Sequence, residues 1–169
     1  MLTGAISGAQ VGSIFFDGQT FLHPITDTKG GDRFVEFRLQ GQSNDNWTRR
    51  MVFHSFRDSG NDVLRGVGNM IKWIKERDPK VRFGLIENKS GEAIVYFLLS
   101  PGVSDDVTLS CLRHTRAPDG TRTDRLQYDE RFKLGQVDGD DVKALRKRAI
   151  DAMAKFDMSE VKEWYARGK

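Results

Sequence analysis

Turn-forming residues divide most of this chain into short apolar runs, and this spacing limits the folds open to it more than any other feature. Asp17-Gly18 and the segments 41–46, 88–91 and 117–120 each separate two such runs. Tight turns of this kind join antiparallel neighbours, because a parallel crossover needs a dozen or more residues. The pattern predicts strands over residues 11–16, 20–25, 33–39, 47–56, 81–87, 92–99, 107–116 and 126–134.

Two longer segments have the periodicity of amphipathic helices. The first begins near Ser59 or Asn61 and runs to about Arg77, ahead of Pro79, and the second begins near Gly139 or Asp140. Their apolar stripes consist of Val63, Val67, Met70, Ile71 and Ile74 in the first, and Val142, Leu145, Ala149, Ala152, Met153 and Phe156 in the second. Ser159 is a candidate N-cap for a short third helix over 161–167, which carries Trp164 and Tyr165.

The element order predicts an α+β protein with an antiparallel sheet of six to eight strands packed against two long helices. We expect both helices to seal one inner side of a curved sheet. Residues 1–10 are small and rich in glycine, which predicts a flexible N-terminal arm, and 11–169 form a single domain.

Three positions carry more specific expectations. Pro24 has no amide proton, so its strand is expected to be at an edge or to end there. The segment 47–56 has apolar side chains on both faces, which indicates a central strand. Gly66 and Gly68 each destabilise a helix by about 1 kcal/mol relative to alanine. We expect that their missing side chains let this helix approach the sheet closely, which compensates for the loss.

Composition and charge narrow the classes of protein that the chain can belong to. The chain has 27 Lys and Arg and 24 Asp and Glu, a net charge of +3. A protein that binds nucleic-acid phosphates usually concentrates its positive charge on one face, and this small excess does not indicate such a face. The longest apolar runs fall well short of a membrane-spanning helix, and Cys111 is the sole cysteine, so no internal disulfide forms. Cys111 is interpreted as a small hydrophobic residue, with His114 on the opposite face of the same strand.

Catalytic and metal-binding motifs are not found in the sequence, and it predicts no cofactor and no metal site. His23, His54 and His114 lie on separate predicted strands and could meet only if those strands adjoin. The clustered acids Asp105, Asp106, Asp138, Asp140 and Asp141 fall in loops or helix starts, where capping is their ordinary role.

Two groups of residues are candidates for binding. Trp47, Arg49 and Arg50 lead the fourth strand, which also carries His54; Trp47 is either a lid on the core or an anchor for a partner. The hairpin 107–134 forms the second group, because its turn brings basic residues to facing positions. These residues are Arg113, His114, Arg116, Arg122, Arg125 and Arg131. Interleaved acids would neutralise much of their field.

The element order and the segment Asn46-Trp47-Thr48-Arg49-Arg50-Met51-Val52 resemble the Mog1/PsbP-like group of α/β/α-type sandwiches over residues 11–156. Small uncharacterised bacterial proteins with an Asn-Trp-Thr segment before a strand are similar too. The resemblance implies a non-catalytic binding or accessory protein, often exported in bacteria; a cytoplasmic protein is the alternative. It carries no catalytic residue onto this chain.

We therefore expect a non-enzymatic binding or accessory domain that contacts another macromolecule, a protein partner, through its sheet or the hairpin 107–134. One alternative is a nucleic-acid-associated protein that uses the basic hairpin and a basic helix face. The other is an unrecognised hydrolase, for which a closed cavity holding a histidine beside a carboxylate would be the structural sign.

Overall fold

A computed structural model describes residues 12–29, 32–57, 59–100, 102 and 104–161. The predicted arm at 1–10 lies outside these residues, as do Trp164 and Tyr165. The elements are β1 Ser13–Phe16, β2 Gln19–Lys29, β3 Asp32–Leu39, β4 Arg49–Phe56, α1 Val63–Arg77, β5 Phe83–Glu87, β6 Ala93–Leu99, β7 Asp106–Arg116, β8 Thr123–Lys133 and α2 Gly139–Lys155. No helix within the described ranges is long and apolar enough to cross a membrane.

The eight strands form one antiparallel sheet in the order β1-β2-β3-β4-β8-β7-β6-β5. This confirms the predicted α+β class and the predicted central position of β4. After β4 the chain passes through α1 to the far edge of the sheet, and β5 to β8 then return towards the middle. As a result β8, the last strand in the chain, pairs with β4.

The helices lie on opposite faces of this sheet. α2 packs Ala149 and Met153 into a core with Phe37, Leu126 and Tyr128. α1 forms a second core on the other face. The expectation that both helices seal one inner side is therefore wrong, because β6 and β7 carry apolar side chains on both faces and each face needs its own cover.

The β1–β2 hairpin confirms two local predictions. Asp17 and Gly18 have φ of 49° and 75°, the left-handed pair of a two-residue hairpin turn. β1 pairs with β2 only as far as Leu22, and the register of β2 on β3 shifts between Leu22 and Ile25. Pro24 lies in that shift, where its missing amide proton leaves no pair incomplete.

Aspartates cap the helices. Asp62 accepts from the backbone N–H of Arg65 at 3.0 Å ahead of α1, and Asp138 forms a capping box with Asp141 ahead of α2. The chain is helical again over 158–161, where Asp157 accepts from the N–H of Ser159 at 2.9 Å. The N-cap of this last segment is therefore Asp157 and not the predicted Ser159.

Only one of the two α1 glycines allows close approach to the sheet. A Cβ built on Gly66 would lie 3.3 Å from Cγ2 of Thr123, 3.4 Å from Oγ of Ser59 and 3.7 Å from Nδ1 of His114. A Cβ on Gly68 would meet nothing within 4 Å. Gly66 thus lets the first half of α1 lie directly over the ends of β7 and β8, and the expectation for Gly68 is wrong.

The same substitution should destabilise the protein at Gly66 but not at Gly68. Gly66→Val forces side-chain atoms against Thr123 and Ser59, and we expect a loss of about 1–3 kcal/mol in the free energy of unfolding. Gly68→Val, in the same helix but facing open space, should leave that free energy unchanged or slightly raised. Urea unfolding of both variants checks this, and equal losses would contradict the close approach at Gly66.

Candidate functional site

A cleft of about 740 Å³ lies between α1 and the sheet face that this helix covers. Cavities that bind small molecules fall in the range of about 300–1,000 Å³. α1 packs on the apolar side chains of β6 and β7, including Val95 and Leu112. The same face of β4 and β8 carries polar side chains, and these form the floor of the cleft.

The first row of the floor is His54, Arg125 and His114, which are direct partners across β4, β8 and β7. Neighbouring strands lie about 4.8 Å apart, so these three side chains stand side by side on one face. The aromatic ring of Phe56 contacts the β4 end of this row. Phe56 stacks on the ring of His54 at 5.3 Å and lies 4.7 Å from the guanidinium of Arg125.

The second row is Arg50, Asp129 and Ser110, also direct partners on the same three strands. Asp129 is buried and accepts from Arg50 Nε at 2.8 Å, Ser110 Oγ at 2.7 Å and the Gln127 amide at 2.8 Å. Its charge is therefore paired and its oxygens are occupied. This row is a rigid hydrogen-bonded part of the floor.

His114 is buried, and no described residue forms a hydrogen bond with its ring. Its side chain is 1% exposed, and neither ring nitrogen has a partner in the part of the chain that the structure describes. Burial, with a smaller contribution from the charge of Arg125, lowers the pKa of His114 to about 3. The ring is neutral at neutral pH, so one nitrogen is a donor and the other an acceptor. An unmet buried polar group costs about 1–3 kcal/mol.

His54 is neutral for the same reason. Burial holds the pKa of His54 well below its ordinary value, and the nearby charges of Arg125 and Arg50 and the ring of His114 lower it further. Both histidines of the floor therefore offer hydrogen bonds at neutral pH without adding charge.

Arg125 supplies a positive charge that no described carboxylate within ion-pair distance balances. Its Nε is buried without a hydrogen-bond partner. Burial lowers the pKa of Arg125 to about 10, which leaves the guanidinium protonated at neutral pH. A charge held in this state inside a cleft is costly unless a ligand or solvent compensates it.

Apolar side chains of α1 and β6 line another part of the cleft, and Asn69, Arg77 and Asp78 of the α1 segment line it as well. Met70, Trp73 and Ile74 of α1 face Phe97 and Leu99 of β6 across the cleft. At the other end the indole of Trp47 is buried between two guanidinium groups, 4.3 Å from Arg50 and 3.9 Å from Arg131. The cleft therefore combines a polar floor with an apolar wall.

The structure brings only some of the predicted site residues together. Trp47, Arg50, His54, His114 and Arg125 line the cleft together. The others do not line it: Arg49, Arg113, Arg116 and Arg122.

Two of the outlying arginines have clear alternative partners. Arg49 pairs with Glu130 at 2.9 Å on the α2 face, and Arg113 donates to the carbonyl oxygen of Phe156 and to Glu92, each at 2.8 Å. Arg113 and His114 point to opposite faces because side chains alternate along a strand. The hairpin 107–134 is therefore not one basic surface.

Sequence reasoning missed part of the floor and the whole helical wall. Ser110, Gln127 and Asp129 were not among the candidates, although the polar alternation 125, 127, 129 is visible in the sequence. That alternation indicates a functional face only once β8 is known to be a central strand, because a polar face in the middle of a sheet is unusual.

Two further expectations concern reactive and metal-binding groups. Cys111 is fully buried in the α2-side core, and burial raises the pKa of its thiol to about 12, which confirms its interpretation as a small hydrophobic residue. The described residues contain no group of three histidine, cysteine or acidic side chains that could hold a metal ion. The side chain of His23 lies outside the described part of the chain.

The buried His114 predicts a specific loss of stability in acid. Its folded pKa lies below the ordinary 6.5, so between pH 6.5 and about 3 the unfolded chain binds a proton that the folded chain does not. Stability therefore falls as the pH falls through this window, by about 1.4 kcal/mol per pH unit from this group. His114→Leu should lose this component. Urea unfolding of both proteins at several pH values checks it, and parallel curves would contradict it.

Comparisons with known proteins identify a family but no function. Neither the curated proteins nor the solved structures gave a significant match to the chain. A family profile matches residues 9–160, which span the sheet and both helices, and the family is an uncharacterised one. The chain belongs to this family.

Proposed function

We propose that this protein is a non-enzymatic binding domain that takes a small organic molecule into the cleft between α1 and the floor formed by β4, β8 and β7. The observation that carries the proposal is His114, a buried side chain that lines the cleft and whose two ring nitrogens have no partner among the described residues. Buried polar groups in native proteins are nearly always hydrogen-bonded, so such an exception needs an explanation. A ligand that bonds to the ring supplies one.

The size and lining of the cleft also support a small molecule over a macromolecule. Ligand cavities are concave, largely apolar and carry a few convergent polar groups. The cleft has this character, because its lining combines apolar side chains such as Met70, Phe97 and Leu99 with the polar row of His54, Arg125 and His114. A macromolecular partner, which the sequence led us to expect, is more readily bound by a projecting or flat surface.

The contacts of the floor favour binding over turnover. A serine nucleophile needs a base that bonds to its hydroxyl. Ser110 instead donates to Asp129, and the carboxylate of Asp129 is held by the guanidinium of Arg50. His114 does not bond to either of them. The floor thus has hydrogen-bonding groups for a ligand but no nucleophile joined to a base.

The layering of helix, sheet and helix supports the resemblance to the Mog1/PsbP-like group, and we retain that resemblance as part of the proposal. Its members are mostly binding or accessory proteins, which agrees with a binding cleft. Fold likeness alone does not establish function, so the cleft carries the proposal.

Blocking the cleft with an indole tests the proposal. Asn69 is an exposed residue of α1 that lines the cleft, so Asn69→Trp can fill the space without disturbing the core. Lys72→Trp, on the same helix but away from the cleft, is the matched control. We expect small organic fragments screened by NMR to shift resonances of cleft residues in the unchanged protein and in Lys72→Trp, but not in Asn69→Trp.

Two results would contradict the proposal. Fragments that bind equally to Asn69→Trp, or that shift only residues at the tip of the hairpin 107–134, would place binding elsewhere. A fragment that binds in the cleft and is chemically consumed would show an enzyme, and the alternative of a hydrolase would replace the binding domain.

A further inference from the structure

We propose that the cleft selects an organic monocarboxylate, whose carboxylate binds at Arg125 between His54 and His114 and whose apolar body lies against α1 and β6. This inference rests on the proposed binding function and adds the chemical class of the ligand.

The charge of the floor indicates an anion with a single charge. The floor carries two guanidinium groups, those of Arg50 and Arg125, and one carboxylate, that of Asp129. At the end of α1, Arg77 and Asp78 also line the cleft, and their opposite charges add no net charge. Arg50 pairs with Asp129 at 2.8 Å. Arg125 is left as one positive charge among the described floor residues, and one negative charge balances it. A dianion such as a phosphate monoester would exceed this balance.

The groups beside Arg125 suit a carboxylate. A guanidinium presents a planar fork of donors that matches the two oxygens of a carboxylate. His54 and His114 flank Arg125 as its direct cross-strand partners, and each neutral ring can donate one hydrogen bond to an oxygen. Their low pKa values keep them from competing as cations at neutral pH. Three donors therefore converge on one position of the floor.

The apolar part of the lining, from α1 and β6, determines which body the ligand has. Met70, Ile74 and Phe97 are buried, and the half-exposed ring of Trp73 lies at the rim of the cleft. These side chains offer no charge to a ligand. A body of aromatic or aliphatic carbon gains from leaving water here, whereas a polar body would lose its hydration without replacement.

A pair of compounds that differ only in charge tests the inference. 1-Naphthylacetate and 1-naphthylacetamide share one aromatic body, and only the first carries a carboxylate. We expect the carboxylate to bind the full chain at least about tenfold more tightly in an NMR titration at pH 7, because a hydrogen-bonded charge pair outweighs a neutral one by at least that factor. 1-Naphthyl phosphate should bind more weakly than the carboxylate.

Variants of Arg125 assign the preference to this residue. Arg125→Met should bring the two compounds to within about twofold of each other, and Arg125→Lys should retain part of the difference because the charge remains and the fork is lost. Arg65→Met removes an exposed positive charge of α1 outside the cleft and is the control, which should keep the full preference. Dispersed amide spectra establish that each variant is folded.

The outcomes separate this inference from the proposed function. Equal affinity for the carboxylate and the amide, with shifts confined to the cleft, would overturn the carboxylate and leave the binding domain standing. A stronger phosphate would likewise overturn the monoanion. If neither compound nor any screened fragment shifted cleft residues, the binding function itself would fail. Should Arg125→Met not fold, the compound pair on the unchanged protein and on Arg125→Lys still decides the result.

Discussion

The polar face of β8 is the constraint from which the arrangement of this protein follows. β8 lies in the middle of the sheet, and one of its faces carries Arg125, Gln127 and Asp129. A helix packed flush on this face would bury charge without enough partners, at a cost that apolar packing does not recover. α1 instead packs on the apolar face of β6 and β7, and the uncovered polar strip becomes the floor of the cleft.

The opposite face of β8 shows how the same strand handles a charge that is purely structural. Glu130 is buried there, and it accepts from the hydroxyl of Tyr128 at 2.8 Å and pairs with Arg49 at 2.9 Å and with Arg148 of α2. The charges of this cluster are paired within the protein, because Glu130 pairs with both arginines and Arg148 also forms an ion pair with Asp17 at 2.8 Å. His114 and Arg125 on the α1 face keep nitrogens without partners. The contrast between the two faces of one strand separates a structural network from a site that is open to a ligand.

Much of the element order could be predicted from turn residues, whereas the site depends on contacts that no local pattern reports. Asp17-Gly18 and the loop 88–91 locate hairpins because a tight turn and its two strands are neighbours in sequence. The pairing of β4 with β8 is different, since α1 and three strands separate them in the chain. It brings His54 beside Arg125 and hence into a row with His114. The predicted start of β8 at residue 126 also came too late, because the strand begins at Thr123 and includes Arg125.

β7 carries a histidine at a position where an apolar residue would be more stable. Leu112 and His114 occupy successive positions on the same face of β7, and both are almost completely buried under α1. A leucine at 114 would bury a similar side chain without unmet nitrogens and without the penalty that a neutral histidine brings in acid. Gly66 also lowers the helix propensity of α1, and its missing side chain lets α1 pass directly over this ring. Two costs to stability at one point in the cleft support the proposal that a ligand completes the polar groups there.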